Sequence, residues 1–521
     1  MNKEPLTCID LFSGCGGFSL GMQRAGFKVL AAIDFNKEAI STFAANISNH
    51  TIALCKDLTE YAPSELAKEI KTSQVDVIVG GPPCQGFSTA RQRDGANHGE
   101  LRLVPDARRQ LYQEFLRYVA FFKPKIFVME NVLGIRSAAG GNYFTAVQKE
   151  ARQLGYRVHG QIEDAWELGV PQKRRRQLFI GVRSDLTAYF LPELTPAPRA
   201  EPRTMLGAAI GDLPILRAGG GENEREYDFG RRNEHVRQWG KTAWNYLTKV
   251  LEIDRATKLT NHVARPHSER DLGDFSRLHE GENSATAMRD RGVKFDFPYD
   301  KSSFKDRYTR QSRWHPCSTI VAHLSKDGLM FIHPTQNRSI TPREAARIQS
   351  FPDWFYFPEA RTHSFRLIGN AVPPLISEAI GLAVKKFIES SSTARKREEA
   401  NRHAAAMALQ RLANLDRRAL HSLPVAEFLK GWRALLFLFP DLHPDNALDH
   451  GIHVEDDKSR SVSIRALEEL SARRYARSGW PVALELIGIE AWRRHAEKQI
   501  TKDDLYCVAT QHSGMITTKE N

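Results

Sequence analysis

The sequence has no long apolar run. The longest near the C-terminus, ALLFLF at Ala434 to Phe439, is far shorter than the roughly 18 residues that cross a bilayer. MNKEPLTCID at the start has no apolar stretch of the kind a secretory leader needs. The expectation is a cytosolic protein with no membrane association. Cysteine is sparse: Cys8, Cys15, Cys55, Cys84, Cys317 and Cys507 include no C-x-x-C pair. That disfavours a zinc ribbon and a disulfide scaffold and leaves six free thiols. Two nucleotide signatures are also missing. No G-x-x-x-x-G-K-[ST] occurs, and the glycines after the first strand-like run do not follow G-x-G-x-x-G, so a P-loop triphosphate or a plain dinucleotide is disfavoured.

What is present is an ordinary globular composition: 521 residues, 41% hydrophobic and 26% charged. That length suits about two to four domains. The net charge of +12 permits a polyanionic partner without requiring one. Residues 1–183 alternate strands with helical patterns. TCIDLF, FKVLAAID, VDVIVGG, KIFVMEN and RRQLFIGV are short, nearly continuous apolar runs, as strands buried on both faces are. NKEAISTFAANI and DARRQLYQEFLRYVAFF have helical spacing. The alternation predicts an α/β domain with a doubly wound, mostly parallel sheet and a ligand crevice outside the strands' carboxyl ends. From 184 to 337 the texture changes to Pro-rich, Gly-rich and strongly basic stretches, expected to form a separate smaller lobe. Helical periodicity returns over 338–389. ESSSTARKREEANRH then reads as a polar junction into a mostly helical extension, 390–521, which carries no legible motif.

Three segments carry chemistry. In DLFSGCGGFSLGMQRAGF, Asp10 to Phe27, a strand ends in a loop with Gly14, Gly16 and Gly17 and opens a helix. Such a turn lets backbone approach a cofactor, or is only a tight strand-to-helix connection. Asp34, closing the second strand, is placed to take the ribose hydroxyls of an adenosine-type cofactor. In VDVIVGGPPCQGFS, Pro82 and Pro83 deliver Cys84 from a strand's carboxyl end. An intracellular cysteine is commonly a small buried hydrophobe; a thiol presented this way instead suits a nucleophile. With a free pKa of about 8.5 it needs a helix N-terminus or nearby cations to ionise. The next strand ends in Glu130 and Asn131, across the crevice. In GVPQKRRRQLFIGV, Arg174 and Arg176 flank Arg175 and should project to one side of the entering strand.

Taken in order, DLFSGCGGFSLGMQRAGF, GGPPCQGFS, MENV, PQKRRRQLFIGV, RSITPREAARIQSFPDWF and IGNAVPP resemble the motifs of the DNA (cytosine-5)-methyltransferase family, over residues 8 to about 385. The resemblance implies a class I methyltransferase-like fold: a catalytic domain, 1–183 and 338–389, interrupted by a target-recognition domain, 184–337, and followed by the helical extension. It implies S-adenosylmethionine as methyl donor, no metal, double-stranded DNA as substrate, a monomer acting on DNA, and a restriction-modification setting with a partner endonuclease. Cys84 would add to cytosine C6, Glu130 would hold N3 and the exocyclic amine, and Arg174 with Arg176 would steady O2 and the active-site loop. Phe12, Gly14, Gly16, Gly17, Asp34, Phe35, Asp57, Pro83, Asn370 and Val372 match the cofactor-binding positions. The family often has Glu at the place of Asp34, and an aromatic and a Lys where Phe365 and Arg366 stand here. The basic stretch after Cys84 suits a loop closing on DNA. In the middle lobe, NHVARPHSERDLGDFSRL and SSFKDRYTRQSRW gather cations for phosphates and Arg, Asn or Gln for base edges. An RNA cytosine methyltransferase goes with a short variable region, and a silent regulatory member with loss of the Cys, the Glu or the glycines. They stand as the alternative readings, disfavoured by the long basic variable region and by the intact Cys, Glu and glycines.

Overall fold

The computed structural model describes residues 4–47, 50–83, 111–186, 203–297, 308–326, 328–438 and 481–500. Cys84, Cys507 and the basic stretch 85–102 lie outside them. The chain forms two compact units, Met1–Arg183 with Leu194–Ile388, and Ser184–Glu193 with Glu389–Asn521.

In the first unit, β1 (Thr7–Leu11), β2 (Lys28–Asp34), β3 (Ile52–Cys55), β4 (Val77–Gly80), β5 (Ile126–Val132), β6 (Tyr156–Asp164) and β7 (Arg175–Arg183) make one sheet in the order β3-β2-β1-β4-β5-β7-β6. The first five run parallel. β7 runs antiparallel to both β5 and β6. The strands at the centre are buried almost throughout, which is why their sequences read as unbroken apolar runs. Helix α1 (Gly17–Arg24) follows β1, and α2 (Lys37–Asn46) follows β2 with the Asn36 side chain accepting from Ala39 N at 2.9 Å. Helix α4 (Leu111–Phe122), after α3 (Pro63–Glu69), buries Phe115, Leu116, Val119 and Phe122 at helical spacing, with the Phe115 ring 5.9 Å from that of Phe127 on β5. The connection order reverses between β1 and β4, which puts a ligand crevice at their carboxyl ends.

Beyond α5 (Asn142–Gln153) and the strand pair β6 and β7, residues 203–338 hold α6 (Leu206–Ile210), the antiparallel strands β8 (Gly221–Glu226) and β9 (Lys258–Val263) with α7 (Phe229–Asn245) between them in the chain, α8 (Glu269–Ser276) and α9 (Ser284–Arg291). Phe275, Leu278, Phe295, Phe297, Tyr308 and Ile332 form a local core there. The chain returns through α10 (Pro342–Ile348), whose Thr341 and Glu344 make a reciprocal N-terminal cap, and through α11 (Arg361–Asn370).

The polar run at 389–403 begins where the second unit begins, and it is helical rather than a break in secondary structure. It lies within one continuous helix, α12 (Pro374–Ala413), because its Ala, Arg, Lys and Glu are good helix formers and it contains no Pro or Gly to stop the helix. Residues Arg361–Glu389 contain a stretch apolar enough for a bilayer span by composition, yet 67% of that stretch is buried within the protein, and α11 and α12 are separate helices. In the second unit, α13 (Arg417–Ser422), α14 (Val425–Leu438) and α15 (Pro481–Ala496) share a core of Leu409, Leu420, Phe428, Trp432 and Ile487 with the end of α12.

Candidate active site

The register sets Leu11, Gly80 and Met129 side by side on β1, β4 and β5. Glu130 and Asn131 therefore stand just past the last residue of β4, beside Gly81, Pro82 and Pro83. A Cβ on Gly81 would lie 3.3 Å from Glu130 Oε2, so the carboxylate rests against bare backbone. Asn131 donates from Nδ2 to the Pro82 carbonyl at 3.3 Å, fixing the rigid turn that leads into Cys84. Across β5 and β7, where Val132 pairs with Arg176 and Glu130 with Leu178, the diagonal pair Glu130 Oε1 and Arg176 Nε meet at 2.8 Å. Their side chains are 12% and 13% exposed, so the ion pair is largely withdrawn from water yet open on one side.

Arg174 has a different surrounding. It is 2% exposed and donates to the carbonyls of Ile320 at 2.9 Å and Ala371 at 3.0 Å. It ties the loop before β7 to the middle segment and to the returning motif, so it positions the walls of the crevice.

At the neighbouring strand ends, Asp34 accepts from Gly14 N at 2.9 Å and from Asn36 N at 2.8 Å. Burial raises its pKa, against the pull of these backbone donors. Phe35 is 65% exposed. Asp57 is exposed, with one oxygen capping Thr59 N at 2.9 Å. Phe12 adopts φ of 56°, a conformation costly for an aromatic side chain. The glycines have two distinct reasons to be glycine. Gly14, at φ of 55°, faces open space. Gly16 and Gly17 are instead required by the protein's own packing: a Cβ would come within 2.3 Å of Ile47 Cδ1 at Gly16 and 2.1 Å of the Val372 carbonyl at Gly17. Val372 thus closes this loop from the returning segment, and Asn370 beside it is exposed.

Two residues here carry no signal in the sequence beyond their place in the first strand and turn. Asp10 is 1% exposed; its Oδ2 accepts from Ser19 N at 3.1 Å and from Ser19 Oγ at 2.6 Å, and burial pushes its pKa up to about 7. Its Oδ1 and the Ser13 hydroxyl are buried with no hydrogen-bond partner among the described residues.

In the middle segment the structure corrects the expected distribution of cations. Arg310 is 5% exposed and donates to the carbonyls of Leu278, Phe275 and His333. Arg265 donates to Leu324, Ser325 and Lys326, Arg277 pairs with Asp274 and Asp296, and Arg313 pairs with Glu280. Asn261 and Gln311, plausible base readers by type, donate to the carbonyls of Phe357, Pro358 and Met330. These groups hold the fold, because a loop-rich segment has many carbonyls that strands and helices do not satisfy. Lys305 and Arg307 lie outside the described residues. A separate cavity of about 300 Å³, lined by Trp166, Arg203, Thr204, Asn245 and Lys249 among others, shares none of the expected site residues. Among the described residues no three His, Cys, Asp or Glu side chains converge as a metal site.

Residues 6–386 match the family model for C-5 cytosine-specific DNA methylase. The chain is 35% identical over 409 residues to the type II methyltransferase M.DdeI of Desulfomicrobium norvegicum, covering 74% of this chain and 90% of the relative. It is 34% identical over 384 residues to the type II methyltransferase M1.HphI of Haemophilus parahaemolyticus, covering 73% and 87%. Among solved structures it is similar to an Escherichia coli prophage-encoded protein described as a DNA modification methyltransferase, with TM-score 0.57 and 29% identity over 74% of this chain and 99% of that one. With the sheet order, the crevice and the matched span in agreement, the chain belongs to the C-5 cytosine-specific DNA methylase family and is a DNA (cytosine-5) methyltransferase.

Proposed function

We propose that the enzyme transfers a methyl group from S-adenosylmethionine to C5 of a cytosine extruded from a specific sequence of double-stranded DNA, by covalent addition of Cys84 to C6. The observation that carries this reading is the Glu130–Arg176 pair set against Gly81 and the Asn131-anchored Pro82 turn. It supplies a carboxyl and a guanidinium, both mostly desolvated, at the point from which Cys84 departs.

The residues of the second strand end fit the donor: an exposed Phe35 ring for the adenine, Asp34 for the ribose, Asp57 for the adenine amine, and the open face at Gly14. S-adenosylmethionine, when bound, supplies the methyl group on an electrophilic sulfonium. On the side of the base, the Cys84 thiolate forms an S–C6 bond, and the electron pair displaced from the C5–C6 double bond makes C5 nucleophilic. Glu130 holds N3 and the exocyclic amine and delivers the proton that keeps negative charge off the ring. Arg176 orients Glu130 and reaches the base's O2. After C5 gains its methyl, a water molecule takes the C5 proton, the C5–H electron pair re-forms the C5–C6 double bond as the S–C6 bond breaks to free the Cys84 thiolate, and the proton lent to the ring returns to Glu130.

Extruding a base costs a few kcal/mol, which the basic stretch after Cys84 and the lobe 184–337 would offset by holding the backbone. That lobe reads the sequence, and 390–521 is a helical appendage. A partner endonuclease is the setting that fits type II relatives. Bisulfite sequencing of DNA from an expressing host tests the reading: conversion-resistant cytosines at one recurring sequence are expected, and they should vanish with Cys84→Ser. DNA that stays fully convertible with the intact chain would overturn it.

A further inference from the structure

We infer that Gln172 and Gln349 are positioning residues for methyl transfer: they form a buried ring of hydrogen bonds that sets the loop ending in Arg176 against the segment covering the glycine loop. The inference rests on the reading above, that Arg176 and Glu130 hold the cytosine.

Gln172 and Gln349 are both 0% exposed, and every polar atom of the two amides is used. Gln172 Oε1 accepts from Ile320 N at 3.1 Å, while its Nε2 donates to the Ile348 carbonyl at 3.0 Å and to Gln349 Oε1 at 2.5 Å. Gln349 Nε2 donates to the Ile368 carbonyl at 2.6 Å and, more weakly, to the Ala371 carbonyl at 3.4 Å. Arg174 closes the ring by donating to that same Ala371 carbonyl and to the Ile320 carbonyl. Only one orientation of the two amides fits. The Ile320 N–H can only donate, so Gln172 must turn its oxygen there and its amino group to Gln349, which in turn sends its own amino group to the carbonyls beyond. Apolar side chains would fill this space without desolvating two amides, but they would fix no register. A fully satisfied polar network specifies a single arrangement.

What the ring joins gives it a role in the reaction. Cys317 N donates to the Pro171 carbonyl at 2.9 Å and Lys173 N to the Cys317 carbonyl at 2.8 Å. The two strips run parallel, so the one that continues to Ile320 follows the loop toward Arg176. Bonds to residues 171 to 174 thus hold the loop immediately before Arg176, which meets Glu130 at 2.8 Å. On the other side of the ring, Ala371 leads directly into Val372, whose carbonyl lies 2.1 Å from where a Cβ on Gly17 would stand. The middle strip is clamped there as well, since a Cβ at Gly369 would fall 2.3 Å from Ala322 N. The base side and the cofactor side of the crevice therefore take their spacing from one set of bonds. That spacing matters because a misplacement of about 1 Å at reacting groups can cost about a hundredfold in rate.

The test is Gln172→Met and Gln349→Met in the full chain, alone, together and with Arg176→Ala, read by methyl transfer per folded molecule and by S-adenosylmethionine affinity. Methionine keeps the length of the side chain and removes the amide. Each single variant should lower turnover by about 10- to 100-fold, with cofactor affinity changing less. The double variant should be no worse than the poorer single one, because either change opens the same ring. With Arg176→Ala already present, Gln349→Met should have almost no further effect on turnover, since the group it places is gone. Where methionine prevents folding, Gln349→Asn, which keeps the amide and shortens its reach, is put through the same cycle. The inference is overturned if the variants lose stability yet keep normal turnover per folded molecule, if cofactor affinity falls in step with turnover, or if the losses from the ring variant and from Arg176→Ala multiply. Failure of the intact chain to methylate any DNA would instead overturn the underlying reading of function.

Discussion

Arg176 with Glu130, and Arg347 with Asp212 and Asp353, are the same chemical pair in two settings. The first is 12–13% exposed and stands at the carboxyl end of the sheet. The second is fully buried beneath α10: Arg347 Nη1 meets Asp212 Oδ1 at 2.7 Å and Nη2 meets Asp353 Oδ2 at 2.5 Å, with all three side chains at 0% exposure. Arg338 and Glu344 repeat the arrangement alongside at 2.7 Å. Burial opposes the charge on Glu344, but the Arg338 guanidinium outweighs it and holds the carboxyl well below the usual range. Burial likewise pulls Arg343 down to about 10. A sealed network returns its partners' charges to each other and holds the return of the chain in place. A pair left open on one side keeps an oxygen and an N–H that a third molecule can take, and that opening separates a site from a brace.

The sharpest break of this comparison is Glu130→Gln. Turnover should fall by about two to four powers of ten, while the thermal midpoint stays nearly unchanged because the amide still accepts from Arg176. Radiolabelled methyl transfer and calorimetry on one preparation check both, and a large loss of stability would make Glu130 a brace after all. Arg347→Ala should behave in the opposite way. Leaving buried Asp212 with only the Tyr227 hydroxyl, and Asp353 with only the Arg343 guanidinium at 3.8 Å, should cost about 3–5 kcal/mol of stability, with turnover per folded molecule preserved. Arg347→Lys, which keeps the charge and loses the fork, should fall between. Denaturant unfolding gives the ranking, and unaltered midpoints would show the network to be ornamental.

Asp34→Ala should raise the cofactor dissociation constant by roughly ten- to a hundredfold and leave turnover at saturating cofactor close to normal. Calorimetric titration that finds affinity unchanged removes the ribose assignment. The smallest effect concerns Asp10, whose pKa burial raises to about 7. The folded protein holds this proton more tightly than the unfolded chain, where the carboxyl titrates near about 3.9. The stability it contributes is therefore complete below about pH 4 and is lost as the pH rises through about 7. The thermal midpoint should decline more steeply between pH 5 and 7 in the intact protein than in Asp10→Asn, by the equivalent of about 1–3 kcal/mol. Glu163, also raised to about 7 by burial, would give the residual slope. Parallel profiles would show that Asp10 does not titrate there.

The five strands read from the sequence are those buried on both faces, where an apolar run has one interpretation. β3 was hidden because IALC, at the other edge of the sheet, is a short and only partly buried run. β6 was hidden by its place at the sheet edge, where YRVHGQIED mixes polar and apolar side chains. The reversed direction of β7 is equally invisible, since a buried antiparallel strand in a two-faced sheet has the same composition as a parallel one. At the site, Asp34 closing β2 and Glu130 at the end of β5 followed from strand ends alone. Arg174, Arg265 and Arg310 did not, because a basic residue in a loop looks the same whether it faces a phosphate or a carbonyl. Only the folded chain decides.

The fit of Gly17 beneath Val372, with Cys15 Sγ donating to the Leu367 carbonyl 352 positions away, has a consequence for synthesis. At about 5–20 residues per second, the ribosome finishes the glycine loop roughly 20–70 seconds before it delivers the segment that covers it. Until then the newborn chain exposes an unfinished pocket and the apolar side of α1. On the reading proposed for this loop, the cofactor pocket is complete only once residue 372 has been made, and the interval before that is when a chaperone would have most to hold.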